Sequence, residues 1–81
     1  MLERMHARLV DVRCHSGYAA DEEPRVVVLD ERRLEVVAVE RRWREPEARF
    51  FVVRIADGTR YVLRQAVTTG VWTMKSAAAP K

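Results

Sequence analysis

The sequence predicts a mainly β domain: a small antiparallel meander of about six strands curled into a partly open barrel or roll. Three observations carry that expectation. Runs rich in β-branched and aromatic residues recur at about ten-residue spacing, with turn-forming residues between them. Asp57-Gly58 separates two of these runs and is a preferred hairpin dipeptide. The chain has 81 residues, 48% apolar and 33% charged, which suits one globular domain with a thin core.

Taken in order, Leu2, Met5, His6 and Leu9 stand at i, i+3, i+4 and i+7, the spacing of a short N-terminal helical turn. Residues 8–14 then alternate as strand one, which Ser16-Gly17-Tyr18 breaks. Asp21-Glu22-Glu23-Pro24 reads as an acidic loop ended by a residue that cannot donate to a ladder. Residues 25–29 form strand two, and Asp30-Glu31-Arg32 makes a tight connection. Strand three, residues 33–44, is long enough to require a bend or bulge before Trp43. Glu45-Pro46-Glu47 ends it.

Residues 49–56 and 59–65 are strands four and five, flanking Asp57-Gly58. Residues 66–69 link them to Gly70 and to strand six, residues 71–75, centred on Trp72. The domain thus spans residues 1–75, and residues 76–81, with three alanines and a proline, are expected to be a disordered tail.

A two-residue loop at Asp57-Gly58, with positive φ at both positions, fixes a register. It sets Val53 opposite Val62, Val52 opposite Leu63, Phe51 opposite Arg64 and Phe50 opposite Gln65. Phe50, Val52, Tyr61 and Leu63 then share one side, and Phe51, Val53, Ile55 and Val62 the other, with Arg60 and Arg64. Strand three repeats the pattern, with Leu34, Val36 and Ala38 on one side and Val37, Val39 and Trp43 on the other. Both sides are apolar, unlike a sheet with one wet face. Three arrangements satisfy this: a barrel whose outside is covered by the N-terminal segment, a homodimer packed sheet on sheet, or an exposed face that binds a partner.

The charge is +3, but residues 1–23 hold three Arg against five acids, whereas residues 24–81 hold twelve Lys and Arg against seven. The strands are therefore basic, and the arginine bias suits phosphate or carboxylate forks. Arg41-Arg42-Trp43-Arg44 places an aromatic ring among guanidiniums, with Arg49-Phe50-Phe51 across the loop. Rings that stack on unpaired bases beside arginines that take phosphates are the elements of single-strand recognition. The bland alternative buries Trp43 and pairs the arginines with Glu40, Glu45 and Glu47.

No catalytic site is legible. Cys14-His15 with His6 supplies too few ligands for a closed zinc site, and Cys14 reads as a half-buried small hydrophobe. Asp21-Glu22-Glu23 reads as a solvated loop. There is no phosphate-binding glycine loop, no metalloprotease helix motif and no serine elbow, so neither a cofactor nor a metal is expected. No apolar run nears the roughly 18 residues of a spanning helix, the start lacks the apolar stretch of a secretory signal, and the single cysteine suits a reducing compartment. These features point to the cytoplasm.

Ser16-Gly17-Tyr18, Ala20-Asp21-Glu22, Pro24, Trp43, Phe51-x-Val53, Asp57-Gly58, Tyr61-x-Leu63-Arg64 and Trp72 together resemble a family of small uncharacterised bacterial cytoplasmic β-rich proteins. More loosely, they are similar to a domain of unknown function at the C-terminus of translesion-polymerase-like proteins. The resemblance covers residues 10–75 and brings no catalytic residues; its second part implies a nucleic-acid or DNA-repair setting. Phe50-Phe51 and Glu45-Pro46 depart from the family pattern, which leaves the alignment of the central hairpin open.

The expectation is a non-enzymatic module that binds single-stranded nucleic acid through Arg41, Arg42, Trp43, Arg44, Phe51, Arg60 and Arg64. The alternative is a protein-interaction module or homodimer that uses the second apolar face.

Overall fold

Six strands follow one another around a closed antiparallel barrel in chain order. They are β1 (Arg8–His15), β2 (Glu23–Leu29), β3 (Arg32–Glu45), β4 (Ala48–Ile55), β5 (Arg60–Ala66) and β6 (Trp72–Ser76). In this computed structural model the described residues are 7–15 and 23–77. The expected helical turn falls mostly on residues 1–6, outside them, while Arg8 and Leu9 are already strand. Of the expected tail, Ser76 belongs to β6 and the Ala77 N–H donates to the Arg60 carbonyl at 3.1 Å, while residues 78–81 lie outside the described residues.

The meander is the predicted one, but it closes, and closure changes the central hairpin. The register pairs Arg54 with Arg60, Val53 with Tyr61, Val52 with Val62, Phe51 with Leu63 and Phe50 with Arg64. This is one residue away from the register of a two-residue loop. The loop holds three residues, Ala56, Asp57 and Gly58. The Gly58 N–H donates to the Ile55 carbonyl at 2.8 Å, and the Ile55 N–H to the Thr59 carbonyl at 2.8 Å. Only Gly58 takes a positive φ, +94°, so the loop is a type I turn followed by a left-handed glycine bulge. Asp57 serves it differently: its Oδ1 accepts the Thr59 N–H at 2.9 Å, and that hydrogen bond holds the carboxyl below its ordinary range.

The reason for the slip is what each register would bury. With a two-residue loop, the side of β5 facing into the barrel with Phe51 and Val53 would be Arg60, Val62 and Arg64. Two arginines in an apolar interior are prohibitive without partners. The three-residue loop brings Tyr61 and Leu63 inside and turns Arg60 and Arg64 outward.

Two bulges in β3 act in the same sense. The register against β4 shifts between Val36 and Ala38, and again between Val39 and Arg41. Leu34, Val36 and Val39 therefore all pack on the core, while Val37 stands 54% exposed. The expected bend before Trp43 is thus present twice. On β2, a further shift opposite Arg13/Cys14 accommodates Pro24, which is buried within the strand, not in a loop.

The two-residue turn with positive φ at both positions does occur, at Asp30 (φ +52°) and Glu31 (φ +69°), between paired Leu29 and Arg32. Neither residue is a glycine, so the turn carries strain.

The core comprises Val27, Phe51, Val53, Ile55, Leu63, Trp72 and Met74, with Val10, Val12, Cys14, Leu29, Leu34, Val36, Val39 and Tyr61 packed around it. Phe51 and Trp72 meet with ring centroids 5.8 Å apart. The two apolar sides expected of the hairpin are thereby resolved: the barrel interior takes most of the apolar residues, and the outside is mixed. Among the described residues no helix is long and apolar enough to cross a membrane.

Candidate nucleic-acid interface

The outer surface of β3–β4–β5–β6 is organised by its ladders into rows. One row runs Trp43, Phe50, Arg64, Thr73, and the next Arg41, Val52, Val62, Lys75. Directly opposed side chains share a face, so each row is a line of neighbours across the sheet.

In the first row Trp43 and Phe50 stack in parallel, with centroids 5.0 Å apart and planes 2° from parallel. The Arg41 guanidinium lies 5.6 Å from the Trp43 ring and that of Arg64 lies 6.0 Å from Phe50. Cation–π attraction and aliphatic stems laid along the sheet account for both placements. Trp43 remains 39% exposed, so it is not a core residue.

A carboxylate closes the other end of this face. Glu40, at the second β3 bulge, accepts Arg54 Nε at 3.1 Å through Oε2 and Arg60 Nε at 2.7 Å through Oε1. The Arg60 hydrogen bond is the main cause that lowers the Glu40 carboxyl below its usual value; Arg54 adds to it, and partial desolvation opposes it.

The seven residues expected to form the site are not one constellation. Arg41, Trp43 and Arg64 lie on one face, with Arg64 opposite Phe50 and not opposite Phe51, where a two-residue loop would set it. Arg60 shares their face but is committed to Glu40. Phe51 does not belong to the site: it is 5% exposed within the core, where no base can reach it. Its place beside Trp43 is taken by Phe50. Arg42 and Arg44 lie on the other side of the β3–β4 ribbon, in register with Phe51 and Arg49, and Arg42 is bridged to Glu23 at 2.6 Å.

Sequence reasoning missed Phe50 and Lys75. The signal that assigns both is the ladder register, since a one-residue slip exchanges the faces of β5 and its neighbours.

A recess of about 320 Å³ lies elsewhere, lined by Arg13, Cys14, Arg25, Val26, Glu35 and Val36, where the β2–β3 ladder ends. Among the described residues no three His, Cys, Asp or Glu side chains gather as a metal cluster, and His6 and the side chain of His15 lie outside that set. Compared with family models, curated proteins and solved structures, the chain matches none.

Proposed function

We propose that this domain is a non-catalytic binding module that takes single-stranded nucleic acid across the outer face of β3–β4–β5–β6. The observation that carries the reading is the stack of exposed Trp43 on half-buried Phe50, set between the guanidiniums of Arg41 and Arg64. An aromatic surface stacks on any unpaired base, and cations on both sides of it meet the phosphates. Lys75, in the adjacent row, extends the charge along the sheet.

The test is a titration with single-stranded DNA and RNA at several salt concentrations, followed by tryptophan fluorescence. Trp72 is buried, so the response reports on Trp43. Affinity falls with salt, log K against log salt having a slope of about −0.7 for each phosphate neutralised. Trp43→Ala weakens binding by about 1–3 kcal/mol, the contribution of one stacked base. Absence of binding at low ionic strength overturns the reading.

A second reading has its own observation. Leu9 (72% exposed) pairs with Thr73, and Val71 (45%) lies two residues from Thr73, so an apolar patch flanks the basic face. A second copy of the chain or another protein would cover it. Light scattering after size exclusion distinguishes this, because the uncharged substitution Leu9→Ser adds no cation beside the basic face and dissociates any dimer formed there.

A further inference from the structure

Arginines oppose one another directly at two places in the sheet: Arg54 and Arg60 across β4–β5, and Arg44 and Arg49 across β3–β4. Like charges so placed repel, and each pair needs a reason to stand. For the first pair the reason is visible. Glu40 reaches both guanidiniums with its two oxygens, and the bulge in β3 puts it there.

Among the described residues the second pair has no such acid. Glu45 and Glu47 are near in sequence, yet the ion pairs among the described residues join Arg8 to Asp30, Arg42 to Glu23, and Arg54 and Arg60 to Glu40. None reaches Arg44 or Arg49. The Arg49 guanidinium lies 5.4 Å from the Phe51 ring, and its Nε is shielded from solvent without a hydrogen-bond partner. An N–H donor of a charged group left in that state is unfavourable unless an acceptor reaches it.

We propose that Arg44 and Arg49 form a binding site for a phosphate-type oxyanion, which sits between them as the Glu40 carboxylate sits between Arg54 and Arg60. Two planar guanidinium forks, each able to give parallel N–H donors, match a tetrahedral anion with several equivalent oxygens better than they match chloride. The site is on the opposite side of the β3–β4 ribbon from the Trp43–Phe50 stack. It therefore stands or falls independently of base stacking. The phosphate comes either from a small phosphate species or from the backbone of a bound strand.

The test follows the Arg side-chain Nε–H resonances by NMR. Inorganic phosphate is titrated against sodium chloride at matched ionic strength, and a single-stranded oligonucleotide is titrated separately into the wild type and into Trp43→Ala. The expected result is a saturable shift of the Arg49 resonance that chloride does not reproduce. Arg44→Gln, an exposed substitution that leaves the core untouched, weakens the response at least about tenfold, the loss of one charge-assisted fork. Arg60→Gln leaves it unchanged. A shift with inorganic phosphate identifies a site for small phosphates; a shift with the oligonucleotide alone, persisting in Trp43→Ala, identifies a backbone phosphodiester. If neither probe moves Arg49 beyond the chloride control, or if Arg44→Gln responds like the wild type, the proposal is wrong. A failure of the fluorescence titration with the phosphate shift intact removes only the base-stacking reading.

Discussion

The β3–β4–β5 ribbon and the β1–β6 seam are built from the same kind of strand, yet they hold the barrel unequally. The ribbon's β4–β5 ladder runs without a register shift from Ala48–Ala66 to Arg54–Arg60. The longer β3–β4 ladder continues through its two bulges from Glu45–Ala48 to Val36–Ile55, and together they carry Phe51, Val53 and Leu63 into the core. The seam consists of Arg8–Met74, Leu9–Thr73 and Val10–Trp72, with Leu9 largely exposed on its outer side. The difference teaches that closure, not strand formation, is the less secure step. The ribbon is local in sequence and joined by short loops, whereas the seam joins the two ends of the chain and bears the largest loop-closure entropy.

The substitution with the largest expected effect acts on the ribbon. Leu63 is fully buried, and Leu63→Ala costs about 2–5 kcal/mol, a large share of the roughly 4–12 kcal/mol available to a domain of this size. Val10→Ala at the half-buried seam costs about 1 kcal/mol, since only part of a valine's apolar area is lost. Urea denaturation measures both, and hydrogen exchange separates their character. Seam amides exchange by a partial opening that leaves β4–β5 protected. Equal protection of the β1–β6 and β4–β5 amides would contradict the inequality of the two regions.

A smaller effect of opposite sign is expected at the β2–β3 turn. Glu31 holds φ +69° with an L side chain, so Glu31→Gly stabilises the barrel by about 0.5–1 kcal/mol through relief of that strain, net of glycine's greater freedom when unfolded. A lowered urea midpoint would show that the side chain contributes more than its backbone geometry loses.

The smallest effect is electrostatic and depends on pH. Because Arg60 and Arg54 lower the Glu40 pKa in the folded protein, its contribution is fully present above the ordinary carboxylate value and is lost as pH falls through the lowered one. Glu40→Gln therefore flattens the acid limb of the stability curve and leaves the ribbon's core packing intact. NMR titration of the Glu40 carboxyl checks the sign directly: a midpoint above that of an unfolded peptide would refute it.

The residues differ in how much of this could be read from their order. The strands and most of their bounds were legible, because β-branched alternation and turn residues act locally. The need for a bulge in β3 was legible too, from length alone. Of the candidate site, Arg41 and Trp43 were legible from the run Arg41-Arg42-Trp43-Arg44, whereas Arg64 entered through the two-residue register that set it opposite Phe51, and it stands opposite Phe50 instead. Phe51 was assigned to the wrong side, and Phe50 and Lys75 were missed, since all three depend on which face a strand presents. Asp57-Gly58 marks a hairpin but does not distinguish two loop residues from three, and that single residue reverses the faces of β5 relative to β4.

By itself, then, the sequence determined that this chain makes short antiparallel strands, where they turn, and that the strands are basic. Only the tertiary structure decided that the barrel closes, that Phe51 lies inside and Phe50 outside, and that Glu40 neutralises one arginine pair and not the other. The physical reason is that side chains on a strand alternate with a period of two, so a one-residue change in register exchanges inside for outside. The turn residues tolerate either register. The exclusion of Arg60 and Arg64 from an apolar interior selects between them, and that interior exists only once the sheet has closed on itself.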